Sequence, residues 1–166
     1  MKINIIMLCG GLGTRISKIT SLPKCLIKIK KTTILDLNIK AILNSNIDLG
    51  KIFINVRPNT KSLIQSTISK YNCNNDLIKI IAEKNVKGTA GTVSDIASKN
   101  DIKNGYLVIY GDQFYPDLEN FLNKINSFDN MILCYEGTDY KNSGVITKDS
   151  NNFMTKIIEK PRSIDR

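Results

Sequence analysis

Histidine and tryptophan are both absent from the 166 residues. The missing histidine excludes Ser-His-Asp and Cys-His catalysis within this chain, and every histidine-bearing metal site. No apolar run approaches the ~20 residues that span a bilayer. The opening stretch "MKINIIMLCGG" carries one lysine and no small-residue cleavage site, so it reads as a buried first strand rather than a secretory leader. A cytoplasmic location is the expectation. Cys9, Cys25, Cys73 and Cys134 form no C-x-x-C pair, which leaves neither a zinc pattern nor a disulfide framework. Reduced, mostly buried thiols are expected. Internal repeats, low-complexity tails and dividing linkers are lacking too.

The composition, 42% hydrophobic and 23% charged, is that of a globular domain, and the length suffices for a real core. Its formal net charge is +9. The lysines are scattered among asparagines and isoleucines, as an AT-rich coding sequence would produce. Only "KCLIKIKK" (24–31) concentrates them, and there they alternate with apolar residues like a half-buried strand. No aromatic-interleaved basic patch accompanies the charge, so neither nucleic acid nor a membrane is expected as a partner. Attraction of small anions such as nucleotides is the expected use.

Apolar runs and helical patterns alternate along the chain. Strands are predicted over 3–8, 51–56, 77–82, 106–110 and 131–136, and helices over 33–46, 59–71, 89–98 and 117–125. Two closing strands, in "SGVITKD" and "FMTKIIEKP", flank the turn "SNN". This βαβ alternation predicts a Rossmann-like three-layer α/β/α fold with a mostly parallel central sheet. In such sheets ligands sit beyond the carboxyl ends of strands. Residues 9–15 and 111–112 both fall there.

The first of these stretches, Cys9-Gly10-Gly11-Leu12-Gly13-Thr14-Arg15, is glycine-rich. Its amides could cradle phosphate oxygens, or the glycines could only form a tight turn. It is neither a Walker A loop nor G-x-G-x-x-G, since position 16 is isoleucine. Arg15 offers a planar fork for phosphate, and Lys24, fixed behind Pro23, a point charge. Two cations beside a glycine cradle suit a polyphosphate undergoing transfer.

The stretch "LCGGLGTRISKITSLPKCLIKI" resembles the signature of the sugar-1-phosphate nucleotidylyltransferases, a G-G-x-G-T-R loop followed by P-K and an apolar residue. "EKNVKGTAGT" (83–92) resembles that family's base-contacting turn, "LVIYGDQF" its strand ending in Gly-Asp, and "SGVITKDSNNFMTKIIEKP" its Gly-Val strand and closing Glu-Lys-Pro. The resemblance implies a single nucleotidyltransferase domain over 1–166, shortened at its C-terminus. It implies transfer of a nucleoside monophosphate to a sugar 1-phosphate with loss of pyrophosphate, for polysaccharide biosynthesis. The catalytic positions it implies are Arg15, Lys24 and Asp112, with Asp112 holding Mg²⁺. Leu8, Gly10, Gly11, Gly13 and Thr14, with Glu83, Gly88 and Thr89, would bind the nucleotide. Gly144, Glu159 and Lys160 would meet the sugar phosphate.

Without that family each residue has an ordinary reading: Asp112 as the start of a loop, Glu159-Lys160 as a solvated pair, Thr89 as a turn residue. Glu83 lies five residues before Gly88, where the family's base-reading side chain sits. A carboxylate only accepts hydrogen bonds, which suits the N1–H and N2–H₂ edge of guanine and favours GTP. The chain departs from the family at Ser143, in place of a large residue, and at Val86-Lys87, in place of Pro-Leu. It also ends five residues after Pro161, with no convincing second aspartate for the metal. An inactive nucleotide-binding module, or transfer to a non-sugar phosphate such as phosphocholine, therefore stays open. Exposed strand edges would favour a homo-oligomer.

Overall fold

The computed structural model describes residues 2–14, 16, 18–71, 76–85, 87–102, 105–125, 131–134, 136–137 and 140–162. Two compact units divide it, Met1–Phe128 and Asp129–Arg166. The first is built on strands β1 (Ile3–Leu8), β4 (Leu49–Val56), β5 (Ile78–Ala82) and β6 (Tyr106–Tyr110). All neighbours pair in parallel, in the order β5-β4-β1-β6. A minor antiparallel pair, β2 (Lys28–Ile29) and β3 (Thr32–Thr33), lies between β1 and the first helix in sequence.

Burial on both faces explains the β-branched composition of the strands. Ile5 and Met7 join one core cluster with Ile52, Ile54 and Val56, whereas Ile6 joins Phe53 in a second. Period-two alternation thus divides each strand between two layers. Helices α1 (Ile34–Asn44), α2 (Lys61–Ile68) and α4 (Leu118–Asn123) contribute Leu35, Ile39, Ile64 and Leu122 to the first cluster. Helix α3 (Gly88–Lys99) contributes Val93 and Ile96 to the second. Helix α1 starts where the Thr33 hydroxyl accepts from the Asp36 amide at 3.0 Å, an N-cap typically stabilising by about 1 kcal/mol.

The chain runs outward from β1 through β4 to β5, then returns through α3 to place β6 on the other side of β1. A reversal of direction moves the crossover helix to the opposite face, because βαβ connections keep one hand. That reversal opens a crevice above the carboxyl ends of β1 and β6. The expected α/β architecture is therefore present.

The second unit contains strands β7 (Gly144–Lys148) and β8 (Met154–Glu159), an antiparallel pair as expected. Their turn is held by the Asp149 carboxylate, which accepts from the amides of Asn151 and Phe153 at 2.9 Å each. Two local expectations fail. Residues 131–134 and 136 are not a strand, and Met131, Ile132 and Leu133 are each about half exposed. An apolar run becomes a strand only where a neighbour completes its ladder. The alternating stretch from Lys24 is not continuous strand either. Residues Lys24–Leu26 form a 3-10 turn after Pro23, with Cys25 and Leu26 buried.

Candidate functional site

Four strand ends converge on a cavity of about 230 Å³ in the first unit. Leu8, Gly10 and Gly11 reach it from β1, Asn55 from β4, Glu83 from just past β5, and Tyr110 and Asp112 from β6. Lys24 enters from the 3-10 turn, and Gly88 and Thr89 from the start of α3. Eight residues expected from the sequence therefore line one space: Leu8, Gly10, Gly11, Lys24, Glu83, Gly88, Thr89 and Asp112. Gly13 lines an adjoining cavity, and Thr14 lines neither. Arg15 lies outside the described residues, as do Cys73 and Val86.

Lys24 Nζ stands 3.5 Å from Asp112 Oδ2, with both side chains about one-third exposed. Two of the three expected catalytic side chains thus form an ion pair in the cavity lining, 88 positions apart in sequence. Asp112 is aimed by a pinned turn. The Gly111 amide donates to the Leu8 carbonyl at 3.0 Å, and the Gln113 amide to the Tyr110 carbonyl at 3.2 Å. Asn38 on α1, almost fully buried, donates its side-chain amide to the Gln113 carbonyl at 2.9 Å. Tyr115 closes the turn by accepting from the Tyr110 amide and donating to Gln113 Oε1. Burial raises the Tyr115 phenol above its ordinary pKa, and the Asp112 charge adds to this.

Glu83 is held on both carboxylate oxygens. Asn55 Nδ2 donates to Oε2 at 3.0 Å, and the Thr92 hydroxyl donates to Oε2 at 2.8 Å and to Oε1 at 3.1 Å. Asn55 and Thr92 are themselves buried. A Cβ on Gly10 would lie 2.2 Å from Asn55 Oδ1, so only glycine admits this buried amide. Gly88 has φ +73° and opens α3 without a side-chain cap, so no capping side chain satisfies the first-turn amides, and Gly88 and Thr89 line the cavity. Those amides carry the positive end of the helix dipole.

The added charge at Lys87 does not bear on this space, because its ammonium pairs with Asp95 on α3. Cys9 and Cys25 are buried free thiols in the cavity wall. A hydrogen bond with Cys25, reinforced by burial and by the Asp112 charge, raises the Cys9 pKa well above the ordinary thiol value. Cys9 is thus an inert wall at neutral pH rather than a nucleophile.

Among the described residues no three metal-ligating side chains cluster. A divalent ion here would rest on Asp112 and complete its shell with phosphate oxygens and water, an arrangement Mg²⁺ commonly adopts. In the second unit, Gly144 pairs with Glu159 across the hairpin, and Lys160 Nζ lies 3.9 Å from Glu159 Oε1. A Cβ on Gly144 would stand 3.2 Å from Glu159 Oε2. Gly144, Glu159 and Lys160 are therefore neighbours at one end of the hairpin.

Sequence reasoning missed Asn55, Thr92, Asn38 and Tyr110. Asn55 carried a faint signal as the single polar residue in the apolar run "IFINV", at a strand's carboxyl end. Thr92 follows Gly88 by one helical turn and so shares its face.

The family described as nucleotidyl transferase matches residues 4–165. The bifunctional protein GlmU of Methanococcus aeolicus is 31% identical over 160 residues, covering 95% of this chain and 36% of that protein. The bifunctional sugar-1-phosphate nucleotidylyltransferase/acetyltransferase of Sulfurisphaera tokodaii is 28% identical over 157 residues, covering 93% and 36%. This chain thus spans about a third of the length of these curated relatives. HddC from Yersinia pseudotuberculosis, in a crystal structure complexed with GMP-PN, is similar at TM-score 0.72 and 25% identity, over 96% of this chain and 70% of that one. No helix among the described residues is long and apolar enough to cross a membrane.

Proposed function

Because this chain belongs to the nucleotidyl transferase family, we propose that it transfers a nucleoside monophosphate, from GTP by preference, to a sugar 1-phosphate. The observation that carries this reading is the convergence of Gly10, Gly11, Lys24, Glu83 and Asp112 on one cavity at the switch point of the sheet. The name of the relative from Sulfurisphaera tokodaii includes sugar-1-phosphate nucleotidylyltransferase, which supports the acceptor class.

The attacking atom is a phosphate oxygen, anionic at neutral pH, so no general base is needed. One oxygen–phosphorus bond forms at the α-phosphorus as the bond to the leaving pyrophosphate breaks. Catalysis then consists of in-line positioning and charge neutralisation. Lys24 supplies a fixed positive charge at the reacting phosphates, and Arg15 a bidentate grip on the triphosphate. Asp112 would hold a divalent ion, Mg²⁺ in this reading, which would supply neutralising charge to the phosphates. Gly88 and Thr89, at the positive end of α3, line the same cavity and would meet the nucleotide there. Gly144, Glu159 and Lys160 serve the sugar phosphate.

The guanine preference rests on Glu83. Held by Asn55 and Thr92, both donors, it presents an acceptor-only edge to the base. The GMP-PN bound to HddC supports this choice. The test is pyrophosphate release from each of four nucleoside triphosphates with Mg²⁺ and a panel of sugar 1-phosphates. GTP is expected to react, and Lys24→Ala and Asp112→Ala to lower kcat by about 100-fold or more, the scale of losing one transition-state charge contact. Glu159→Ala is expected to raise KM for the sugar 1-phosphate and leave that for GTP unchanged. Release from UTP alone would overturn the guanine assignment. Nucleotide binding without any release would favour a binding module instead.

A further inference from the structure

Helix α1 turns an apolar face to the core, with Leu35, Ile39 and Ile42 almost wholly buried. Asn38 shares that face and is itself only 1% exposed. An amide among such neighbours loses its water, and pairing it returns little net stability. Leucine there would bury more apolar surface, so packing alone does not account for asparagine. The reason lies in what the side chain holds.

Its Nδ2 donates at 2.9 Å to the Gln113 carbonyl, 75 positions away. Gln113 follows Asp112 directly and is held at three points. Its amide donates to the Tyr110 carbonyl at 3.2 Å, and its Oε1 accepts from the Tyr115 hydroxyl at 3.0 Å. Asn38 supplies the third hold, and of these three it alone comes from outside residues 110–115. On the other side of Asp112, the Gly111 amide donates to the Leu8 carbonyl at 3.0 Å. A Cβ on Gly111 would lie 2.2 Å from Cys9 Sγ, so the turn sits tight against the end of β1. The backbone on either side of Asp112 is therefore tied to a different element, β1 before it and α1 after it. Its carboxylate stands 3.5 Å from Lys24 Nζ on that fixed base.

We propose that Asn38 is a positioning residue: it fixes the turn that presents Asp112 and so sets how tightly the site holds a divalent ion. The proposal rests on the reading of Asp112 as the carboxylate that would hold that ion. Asn38 does not line the cavity, so it acts only through the backbone of the turn. A carboxylate already held in place loses less freedom when an ion arrives, which is how a group out of reach of the ion strengthens its binding.

The experiment measures GTP binding by calorimetry, without an acceptor, once with Mn²⁺ and once with a chelator. The ratio of the two affinities is the gain that the ion contributes. Asp112→Ala is expected to abolish that gain. Asn38→Leu, close in shape but without the donor, is expected to cut the gain by about threefold or more, and to leave affinity in the chelator within about twofold of wild type. In turnover the same variant is expected to lose about tenfold in kcat, the lower end for groups that orient a metal ligand. Asn38→Ser, which keeps a donor, is expected to recover part of both. Adding Asn38→Leu to Asp112→Ala is expected to cost nothing more in kcat, since both act through one carboxylate. Thermal melts check folding, and Asn38→Ala takes the place of Asn38→Leu if that variant does not fold. An unchanged gain in Asn38→Leu would overturn the proposal, as would equal losses with and without the ion or a further loss in the double variant. Wild-type GTP affinity that is the same with and without Mn²⁺ would fail the metal assignment itself, and the proposal with it.

Discussion

Around Glu83 one buried contact sets the next. Gly10 leaves room for Asn55, and Asn55 with Thr92 orients the carboxylate. Gly10→Ala therefore displaces the Asn55 amide, and overpacking of this kind costs about 1–3 kcal/mol. Combining it with Asn55→Ser is expected to restore part of that loss, a coupling readable in denaturant unfolding of the single and double variants. Thr92→Val keeps the shape and removes the hydroxyl donor. The expected outcome is a smaller preference for GTP over ITP, which lacks the 2-amino group, with Thr92→Ser recovering it. Kinetics that leave the GTP-to-ITP ratio untouched would show that Thr92 does not orient the carboxylate. The glycines, Lys24, Glu83 and Asp112 were legible in the sequence because they sit in contiguous motifs. Asn55 was not, because its partner is 28 positions away and meets it only through the register that pairs β4 with β5.

Elements here are tied together by side chains as well as by apolar packing. Asp36, buried on α1, accepts from the Tyr71 hydroxyl at 2.9 Å and pairs with Lys70 at 2.8 Å, joining α1 to the turn after α2. Burial alone would raise the Asp36 pKa, but hydrogen bonds from Lys70, Thr33 and Tyr71 outweigh it and hold the carboxyl below its ordinary value. Its folded pKa then lies below the unfolded one, about 3.9. The stabilisation is complete above that value and is lost as pH falls through the folded pKa. Asp36→Asn is expected to lose about 1–3 kcal/mol at pH 7, the scale for a hydrogen-bonded charge. The gap between the two proteins should narrow progressively in melts as pH falls through the folded pKa of Asp36; a gap independent of pH would exclude the ionised carboxylate as its source. The five helix and strand predictions from 3–8 to 77–82 held because their periodicity is set by local burial. The strand expected over 131–136 failed because a ladder partner is not encoded in the run itself.

At the scale of the whole molecule, the excess of nine positive charges acts as a general attraction for anions. Binding of GTP is expected to weaken steadily between about 50 and 500 mM salt, as screening shortens the reach of exposed charges. A flat response in titrations would confine recognition to the buried contacts. The strand order carries a further consequence, for how the chain reaches this state. Asn4 pairs with Tyr106 and Leu8 with Tyr110, so the first strand made is flanked on both sides only when nearly the last of the sheet has emerged. Loop closure over that separation is slow, and until it happens β1 offers an open, apolar edge to other chains. The same late event carries Asp112 to Lys24. Catalytic competence and protection from aggregation should therefore appear together in refolding, as a single kinetic phase.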